Sequence, residues 1–220
     1  MEVELINGDC IEELRKIDTN DKILVIDPPF NIGYKYNTYK DKLKEEEYLK
    51  WISSVALKFD KFVIVHYPEM MFKISIKLGI APNRVVQWVY NSNTKRQHRS
   101  VAYFGFDPDF RLVKQPYKNP NDKRIKALIA KGSKGTNIYD WWNINQVKNV
   151  SKEKTEHPCQ MPIEVMKNVV GIIPGEETIV DCFLGSGSTG VACKLLNRNF
   201  IGIELDEFYF NIAKERIDNA

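Results

Sequence analysis

Seven short apolar runs, rich in β-branched residues, alternate with amphipathic segments along most of this chain. Each run has the length and composition of a buried strand. The runs are Val3–Ile6, Ile23–Ile26, Phe62–His66, Val85–Tyr90, Val101–Phe106, Thr178–Cys182 and Phe200–Leu205. Apolar positions at helical spacing predict helices over Cys10–Ile17, Glu45–Lys58, Glu69–Leu78, Ile163–Val170, Thr189–Leu196 and Glu207–Ile217. This alternation predicts an α/β fold in which helices cover both faces of one sheet.

One stretch, residues 107–154, departs from the alternation. It is polar, basic and rich in Pro, Gly and Asn, with a single helical candidate at Asp122–Ala130. A connection of this length without regular structure is unusual in a compact domain and commonly carries function. We therefore expect an insertion at 107–154 that separates two halves of one domain, residues 1–106 and 155–220.

Length and composition agree with a single globular domain. The chain has 220 residues, of which 43% are hydrophobic and 28% are charged. No apolar run approaches the roughly 20 residues of a membrane span, and the N-terminus lacks a signal-peptide pattern, so we expect a cytoplasmic location. Four scattered cysteines and three histidines argue against a zinc site or a disulfide framework.

The net charge of +3 is unevenly distributed. Residues 91–135 contain 11 Lys and Arg but only three Asp. A basic block on a slightly acidic body is typical of a protein that binds a polyanion, because Lys and Arg neutralise phosphates. The alternative is a Lys-rich loop that only faces solvent.

A proline-rich corner, Asp27-Pro28-Pro29-Phe30, follows the apolar run that ends at Ile26. Two consecutive prolines fix two φ angles and remove two backbone donors, so this segment is neither mid-strand nor mid-helix. It lies at the carboxyl end of a buried strand, where open α/β sheets bind ligands. Its carboxylate, carbonyl and aromatic ring suit a flat ring that bears an amino group. Such dipeptides also form plain turns, but the position after a strand favours a site.

A glycine-rich loop follows the run that ends at Cys182. Gly185, Gly187 and Gly190 have the spacing G-x-G-x-x-G, and the next strand candidate carries Glu204. A strand, loop, helix, strand and acid in this order are typical of a nucleoside-cofactor site. Glycines allow close approach of the backbone, the helix N-terminus favours an anionic group, and the acid accepts ribose hydroxyls.

A nicotinamide dehydrogenase is the obvious alternative for such a loop. That class needs a second nucleotide-binding half, and only 15 residues follow Leu205. We therefore expect strands of the N-terminal half to complete the sheet, which would put the Asp27 corner beside the glycine loop.

Together these motifs resemble those of the S-adenosylmethionine-dependent DNA amino-methyltransferases, over nearly the whole chain. Asp27–Phe30 matches the catalytic tetrad of that family, and Asp181–Gly187 matches its cofactor loop. Asn7–Asp9 resembles the acidic contact to the cofactor's adenine, and His157–Pro162 resembles the segment that contacts its methionine end. The order of tetrad, basic region and cofactor loop is the permuted order of the beta group.

The resemblance implies a Rossmann-like, seven-stranded, circularly permuted sheet that binds S-adenosylmethionine, releases S-adenosylhomocysteine and needs no metal. The cofactor-binding residues that it implies are Asp9, Cys10, Asp27, His157, Gln160, Pro162, Asp181, Phe183, Gly185, Ser186, Gly187, Ser188, Thr189, Glu204 and Leu205. Asp181 either orients the glycine loop or contacts the methionine amine. Cys182 and Met161 stand where family members often have Pro and Lys.

The implied reaction is methyl transfer to the exocyclic amine of a base flipped out of DNA. Asp27 and the Pro28 carbonyl would accept hydrogen bonds from the two N–H groups of that amine. Pro29 would stiffen the corner, and Phe30 would stack on the base. In this family Asp at the first tetrad position more often accompanies adenine, and Ser often accompanies cytosine. We therefore predict adenine-N6 methylation. The alternatives are cytosine-N4 methylation and a catalytically silent DNA-binding subunit.

The basic insertion is then the expected target-recognition region. The candidate DNA contacts are Lys35, Lys95, Arg96, Arg99, Lys114, Lys118, Lys123 and Arg124. Residues 31–42, which contain three tyrosines, are either a lid over the base or an ordinary surface loop. Tyr139, Trp141 and Trp142 are expected to pack the insertion onto the core rather than to stack on bases. Further candidate partners are a cognate restriction endonuclease and a second copy of this chain.

Overall fold

The computed structural model describes all residues from 1 to 220 and contains one large mixed sheet and a small ribbon. The strands are β1 (Val3–Asn7), β2 (Lys22–Ile26), β3 (Lys61–His66), β4 (Arg84–Val89), β5 (His98–Phe104), β6 (Lys114–Gln115), β7 (Thr136–Asn137), β8 (Trp141–Asn143), β9 (Thr178–Asp181) and β10 (Phe200–Glu204). The helices are α1 (Cys10–Glu13), α2 (Glu45–Ala56), α3 (Pro68–Leu78), α4 (Lys123–Ala130), α5 (Ile163–Gly171), α6 (Ser188–Leu195) and α7 (Glu207–Asp218).

The large sheet interleaves the two halves of the chain. Its order is β1-β10-β9-β2-β3-β5-β4-β8, and the first five strands are mutually parallel. β5 runs antiparallel to both of its neighbours, β3 and β4. Because β2 pairs with β9, with Ile23 opposite Ile179, the Asp27 corner and the glycine loop leave the same edge of the sheet. This confirms the expected α/β fold and the completion of the sheet by N-terminal strands.

The core lies on both faces of the sheet. Ile23 and Val25 belong to a buried cluster of 26 residues, whereas Leu24 and Ile26 belong to a second cluster of 20. Alternate side chains of a strand point to opposite faces, so β2 is covered by helices on both sides, as a continuous apolar run indicates. No helix is long and apolar enough to cross a membrane.

The number of strands differs from the expected seven. Trp141–Asn143 forms an eighth strand that pairs in parallel with β4, with Trp88 opposite Trp142. A run of three residues carries no readable alternation, and its partner lies some fifty residues earlier, so sequence patterns miss it.

The stretch 107–154, which we expect to be an insertion, contains β6, the exposed helix α4, β7 and β8. Trp142 is buried in the core, and the Trp88 Nε1–H donates to the Ile144 carbonyl at 2.7 Å. The prediction that these aromatic residues pack onto the core is therefore correct for Trp142. The same expectation is wrong for Tyr139 and Trp141, which remain 39% and 46% exposed.

Candidate active site

The Asp27 corner and the glycine loop line one cavity of about 450 Å³ at the carboxyl edge of the sheet. Asp27 directly follows β2, and its side chain is 17% exposed. Its Oδ1 is buried without a hydrogen-bond partner, and the nearest cation is Arg99, with Nη1 at 3.9 Å. Burial raises the pKa of Asp27 to about 6, while the positive charge of Arg99 opposes this rise.

A buried hydrogen-bond chain holds the corner from behind. The Tyr67 N–H donates to His66 Nδ1 at 2.7 Å, so Nε2 carries the ring proton and donates to the Tyr48 hydroxyl at 2.9 Å. Tyr48 in turn donates to the Pro29 carbonyl at 2.7 Å. Burial and the nearby arginines lower the pKa of His66 to about 3, so the imidazole is neutral. The Pro28 carbonyl accepts no hydrogen bond from the protein, and Pro28 lines the cavity.

Phe30 lines the cavity together with Asp27. Its ring is 8% exposed, stacks on His66 at 4.3 Å between ring centroids, and has the Arg99 guanidinium 4.5 Å from its centroid. Little of its face remains for a flipped base. These contacts fix the positions of His66 and Arg99, and stacking of Phe30 on a base stays a prediction.

The glycine loop turns sharply between β9 and α6. Gly185 and Gly187 have φ values of +52° and +80°, a region that side chains other than glycine rarely adopt. A Cβ on Gly187 would lie 2.9 Å from the Ala213 Cβ, and a Cβ on Gly185 would lie 3.0 Å from His157 Nε2. Glycine is therefore required here both by backbone conformation and by packing.

Asp181 orients this loop. It accepts hydrogen bonds from the Phe183 N–H at 3.0 Å and from the Thr189 hydroxyl at 2.5 Å. Burial raises the pKa of Asp181 to about 7, and the two hydrogen bonds act against that rise. These contacts favour the loop-orienting role over contact with a methionine amine.

Two further acids lie at strand and helix ends around the cavity. Glu204, at the end of β10, accepts from the Gly185 N–H at 2.7 Å and the Asp206 N–H at 2.9 Å, and burial raises its pKa. Asp9 caps α1 through the Ile11 N–H at 2.9 Å. Both side chains line the cavity, as expected for groups that bind a ribose and a base.

Residues 31–43, the lid segment, fold over the cavity around one buried carboxylate. Asp41 is 2% exposed and accepts from the backbone N–H groups of Asn31 at 2.7 Å and Tyr34 at 2.9 Å. The hydroxyl of Thr38 donates to Asp206, which attaches the tip of the segment to the start of α7. An ordered cover of this kind favours the lid over an ordinary surface loop.

The structure brings most of the expected cofactor residues to the cavity. Those that line it are Asp9, Cys10, Asp27, His157, Asp181, Phe183, Gly185, Ser186, Ser188, Thr189, Glu204 and Leu205. Three do not line it. The Gln160 side chain bonds to Thr155 and Glu153, Pro162 begins α5, and Gly187 packs against Ala213.

The structure removes Arg99 from the expected set of DNA contacts. Its side chain is 13% exposed and lines the cavity, so it is not part of a phosphate-binding surface. The other candidates are exposed: Lys35, Lys95, Arg96, Lys114, Lys118, Lys123 and Arg124.

Sequence reasoning missed the residues that support the corner, Tyr48, His66 and Asp41. Each is polar and at most 2% exposed; Tyr48 and His66 lie among apolar residues of α2 and β3, whereas Asp41 lies in the polar lid segment. The one readable signal is His66, a polar residue at the end of an apolar strand.

The fold and cavity define a class: α/β proteins with a glycine-rich ligand loop beside an acidic, proline-stiffened corner. The sequence profile of the N6 and N4 methyltransferases, described as DNA methylase, matches residues 22–215. The chain belongs to this family of DNA amino-methyltransferases.

Individual relatives extend over nearly the whole chain. The Type II methyltransferase M.HpaI of Haemophilus parainfluenzae is 27% identical, covering 100% of this chain and 75% of its own length. The DNA adenine methyltransferase YhdJ of Escherichia coli is 25% identical, with coverages of 98% and 83%.

Solved structures share the fold. The M1.HpyAVI complex with SAM has a TM-score of 0.63 at 23% identity, covering 97% of this chain and 99% of that one. The PvuII DNA methyltransferase, which is cytosine-N4-specific, has a TM-score of 0.71 at 17% identity, with coverages of 98% and 86%.

Proposed function

We propose that this protein transfers the methyl group of S-adenosylmethionine to the exocyclic N6 of an adenine flipped out of DNA. The observation that carries the proposal is the Asp27 corner: Asp27 and Pro28 line the same cavity as the glycine loop, and neither the Asp27 carboxylate nor the Pro28 carbonyl accepts a hydrogen bond from the protein. Acceptors for an amine and a loop for a nucleoside cofactor share one cavity in a member of a DNA methylase family.

The residues present fit S-adenosylmethionine. Glu204 presents a carboxylate at the end of β10 for ribose hydroxyls, and Asp9 lines the cavity just after the neighbouring strand β1, where it can contact the adenine. Gly185 leaves the backbone without a side chain at a position where a Cβ would contact His157. When bound, S-adenosylmethionine supplies an electrophilic methyl on a positively charged sulfur. M1.HpyAVI, which has been solved with SAM, supports this choice of cofactor.

Asp27 and Pro28 would act on the amine. An exocyclic amine is a weak nucleophile because its lone pair is delocalised into the ring. Two acceptors on its two N–H bonds favour a pyramidal nitrogen whose lone pair points at the methyl group. The Tyr48–His66 chain holds the corner rigid, so these acceptors need little reorganisation.

Adenine is favoured over cytosine by Asp27, since Asp at the first tetrad position more often accompanies adenine in the family. The likeness to the adenine methyltransferase YhdJ over 98% of the chain supports this. Cytosine N4 is the second candidate, because the PvuII enzyme shares the fold and is cytosine-N4-specific.

On the DNA side, the exposed lysines and arginines of residues 91–135 would contact phosphates and position the duplex. The insertion at 107–154 would then carry the target-recognition residues. M.HpaI is a Type II methyltransferase, which supports a cognate restriction endonuclease as a partner.

The test is incubation with methyl-labelled S-adenosylmethionine and mixed-sequence DNA, followed by nucleoside analysis. We expect label in N6-methyladenine, and none with Asp27→Ala. Calorimetry on both proteins is the control: because Asp27 is also an expected cofactor-binding residue, it separates a loss of methyl transfer from a loss of cofactor binding. Label found only in cytosine contradicts the adenine assignment. If calorimetry detects no cofactor binding to the wild type, the result would instead favour the catalytically silent DNA-binding subunit.

A further inference from the structure

Arg99 occupies an aromatic cage inside the cavity. It is the second residue of β5, and because β5 is antiparallel to β3, its amino end lies at the carboxyl end of that strand. Its guanidinium carbon lies 4.5 Å from the Phe30 ring centroid, 5.1 Å from that of Trp88 and 5.8 Å from that of Tyr67. Its Nη1 is 3.4 Å from the Met161 sulfur. These contacts fix the plane of the guanidinium.

Arg99 and Asp27 form an incomplete pair. The distance of 3.9 Å from Nη1 to Oδ1 is too long for a hydrogen bond. Asp27 Oδ1 and Arg99 Nε are both buried and both lack a hydrogen-bond partner. The remaining, partly exposed atoms of the two side chains line the cavity, and neither side chain forms a hydrogen bond to a nitrogen or oxygen of the protein, so an acceptor and a donor lie side by side for a complementary ligand.

The complementary ligand is an edge with an N–H donor next to an unprotonated ring nitrogen. Adenine has this edge at N6 and N1, and cytosine has it at N4 and N3. Guanine at O6 and N1, and thymine at O4 and N3, have the reverse, a carbonyl oxygen next to a ring N–H. A reversed edge would place an oxygen against the Asp27 carboxylate and an N–H against the Arg99 guanidinium, and both contacts are unfavourable.

We propose that Arg99 donates a hydrogen bond to the ring nitrogen beside the amine whose N–H Asp27 accepts, so that this pair selects adenine and cytosine over guanine and thymine. The proposal rests on the proposed function and assigns a specificity residue to it. An enzyme that extrudes a base reads it by hydrogen bonds to its Watson–Crick edge. In the Asp27–Arg99 pair, Asp27 supplies the acceptor and Arg99 supplies the donor for such an edge.

Two other roles for Arg99 fit less well. A phosphate contact requires exposure, and that role suits Arg96, which is exposed and lies over Tyr67 at 4.2 Å. A purely structural role, packing in the aromatic cage, does not explain why the guanidinium lines the cavity beside the Asp27 carboxylate without forming a hydrogen bond to it.

The experiment uses DNA duplexes with adenine, 1-deazaadenine or 7-deazaadenine at the methylated position, and compares the wild type with Arg99→Met. Methionine keeps an extended apolar stem and removes every donor. In the wild type, 1-deazaadenine should lower kcat/KM roughly ten- to a hundredfold, as loss of a hydrogen bond to a charged group does, and 7-deazaadenine should not. Arg99→Met should show a similar loss on adenine and no further loss on 1-deazaadenine. If the methylated base is cytosine, 3-deazacytosine replaces 1-deazaadenine.

Because the base-analogue arm uses only the wild type, the test does not depend on the variant folding. Equal rates of the wild type on adenine and 1-deazaadenine would overturn the proposal, as would an Arg99→Met enzyme that stays fully sensitive to 1-deazaadenine. A wild type that methylates no base at all is a different result, because it refutes the proposed function itself.

Discussion

Asp27 combines a functional demand with a physical cost at the scale of a single residue. Its carboxylate must be ionised to accept a hydrogen bond from the amine and to attract the positive charge of Arg99, yet burial raises its pKa to about 6. Other titratable groups face the same space: Tyr36 on the lid segment, Cys159 ahead of α5, and Asp181 at the end of β9.

This pKa predicts an acid limit to catalysis. Because the folded-state pKa is raised, the protonated form dominates below about pH 6 and the carboxylate above it. We expect the rate at saturating cofactor and DNA to fall about tenfold for each pH unit below that value. Rates measured across the acid range check this. A rate that is flat through pH 6, with the fold intact by circular dichroism, would contradict the assigned role.

For single residues, the sequence reveals only those site residues that stand in a recognisable local motif. Asp27 and Gly185 stand in readable motifs, so their place in one cavity follows once the strands are ordered. Arg99 looks like one of many surface cations in a basic stretch. It enters the cavity because β5 reverses direction between β3 and β4, and no local spacing records that reversal.

The lid segment is the element whose order depends most on one side chain. Asp41 accepts three backbone N–H groups, those of Asn31, Ile32 and Tyr34. Without it these donors lose their partners and the segment opens more often.

Asp41→Ala should therefore speed proteolysis within residues 31–43 by roughly tenfold or more and raise KM, while the sheet stays folded. Asp60→Ala is the matched control, since that exposed Asp forms no side-chain hydrogen bond. Equal cleavage rates in the two variants would show that Asp41 does not order the segment.

The glycine loop offers a comparison between two glycines with similar backbones. Gly187 and Gly79 have φ values of +80° and +72°, but a Cβ on Gly79 meets nothing within 4 Å. Gly79→Ala should cost about 1–2 kcal/mol from backbone conformation alone. Gly187→Ala should cost about 1–3 kcal/mol more, because the added methyl overlaps Ala213.

Urea unfolding of the two variants gives both free energies. The same loss of stability in each would mean that packing against α7 does not constrain the loop.

Elements were more predictable than contacts. The seven longer strands and the main helices follow from runs of β-branched residues and from helical periodicity, because those patterns reflect burial on two faces. β8 was not predictable because its three residues are ordered by pairing with β4. The exposure of Trp141 beside the buried Trp142 follows from the same pairing, which alternates the two side chains across the sheet.

On the scale of the whole molecule, charge is concentrated on one stretch of the chain. The exposed lysines and arginines of residues 91–135 would neutralise DNA phosphates and release counterions. Lys118→Ala and Lys123→Ala should each weaken binding to all sequences alike and lower the slope of log K against log salt by about 1.

Two controls sharpen this measurement. Lys50 is exposed on α2 and pairs with Glu46 at 2.9 Å, so Lys50→Ala should leave the slope unchanged. Arg99→Met should also leave it unchanged, because that side chain is buried in the cavity. Slopes that fall equally in all four variants would indicate a general charge effect and not a DNA-binding surface.

The central claim is that the Asp27 corner methylates adenine in DNA. The most direct measurement is expression of the gene in a host that lacks DNA methylation, followed by sequencing of the host DNA for modified bases at single-base resolution. We expect N6-methyladenine at one recurring sequence with the wild type, and unmodified DNA with Asp27→Ala. Methylation confined to cytosine N4, or adenine methylation that persists in Asp27→Ala, would contradict this account.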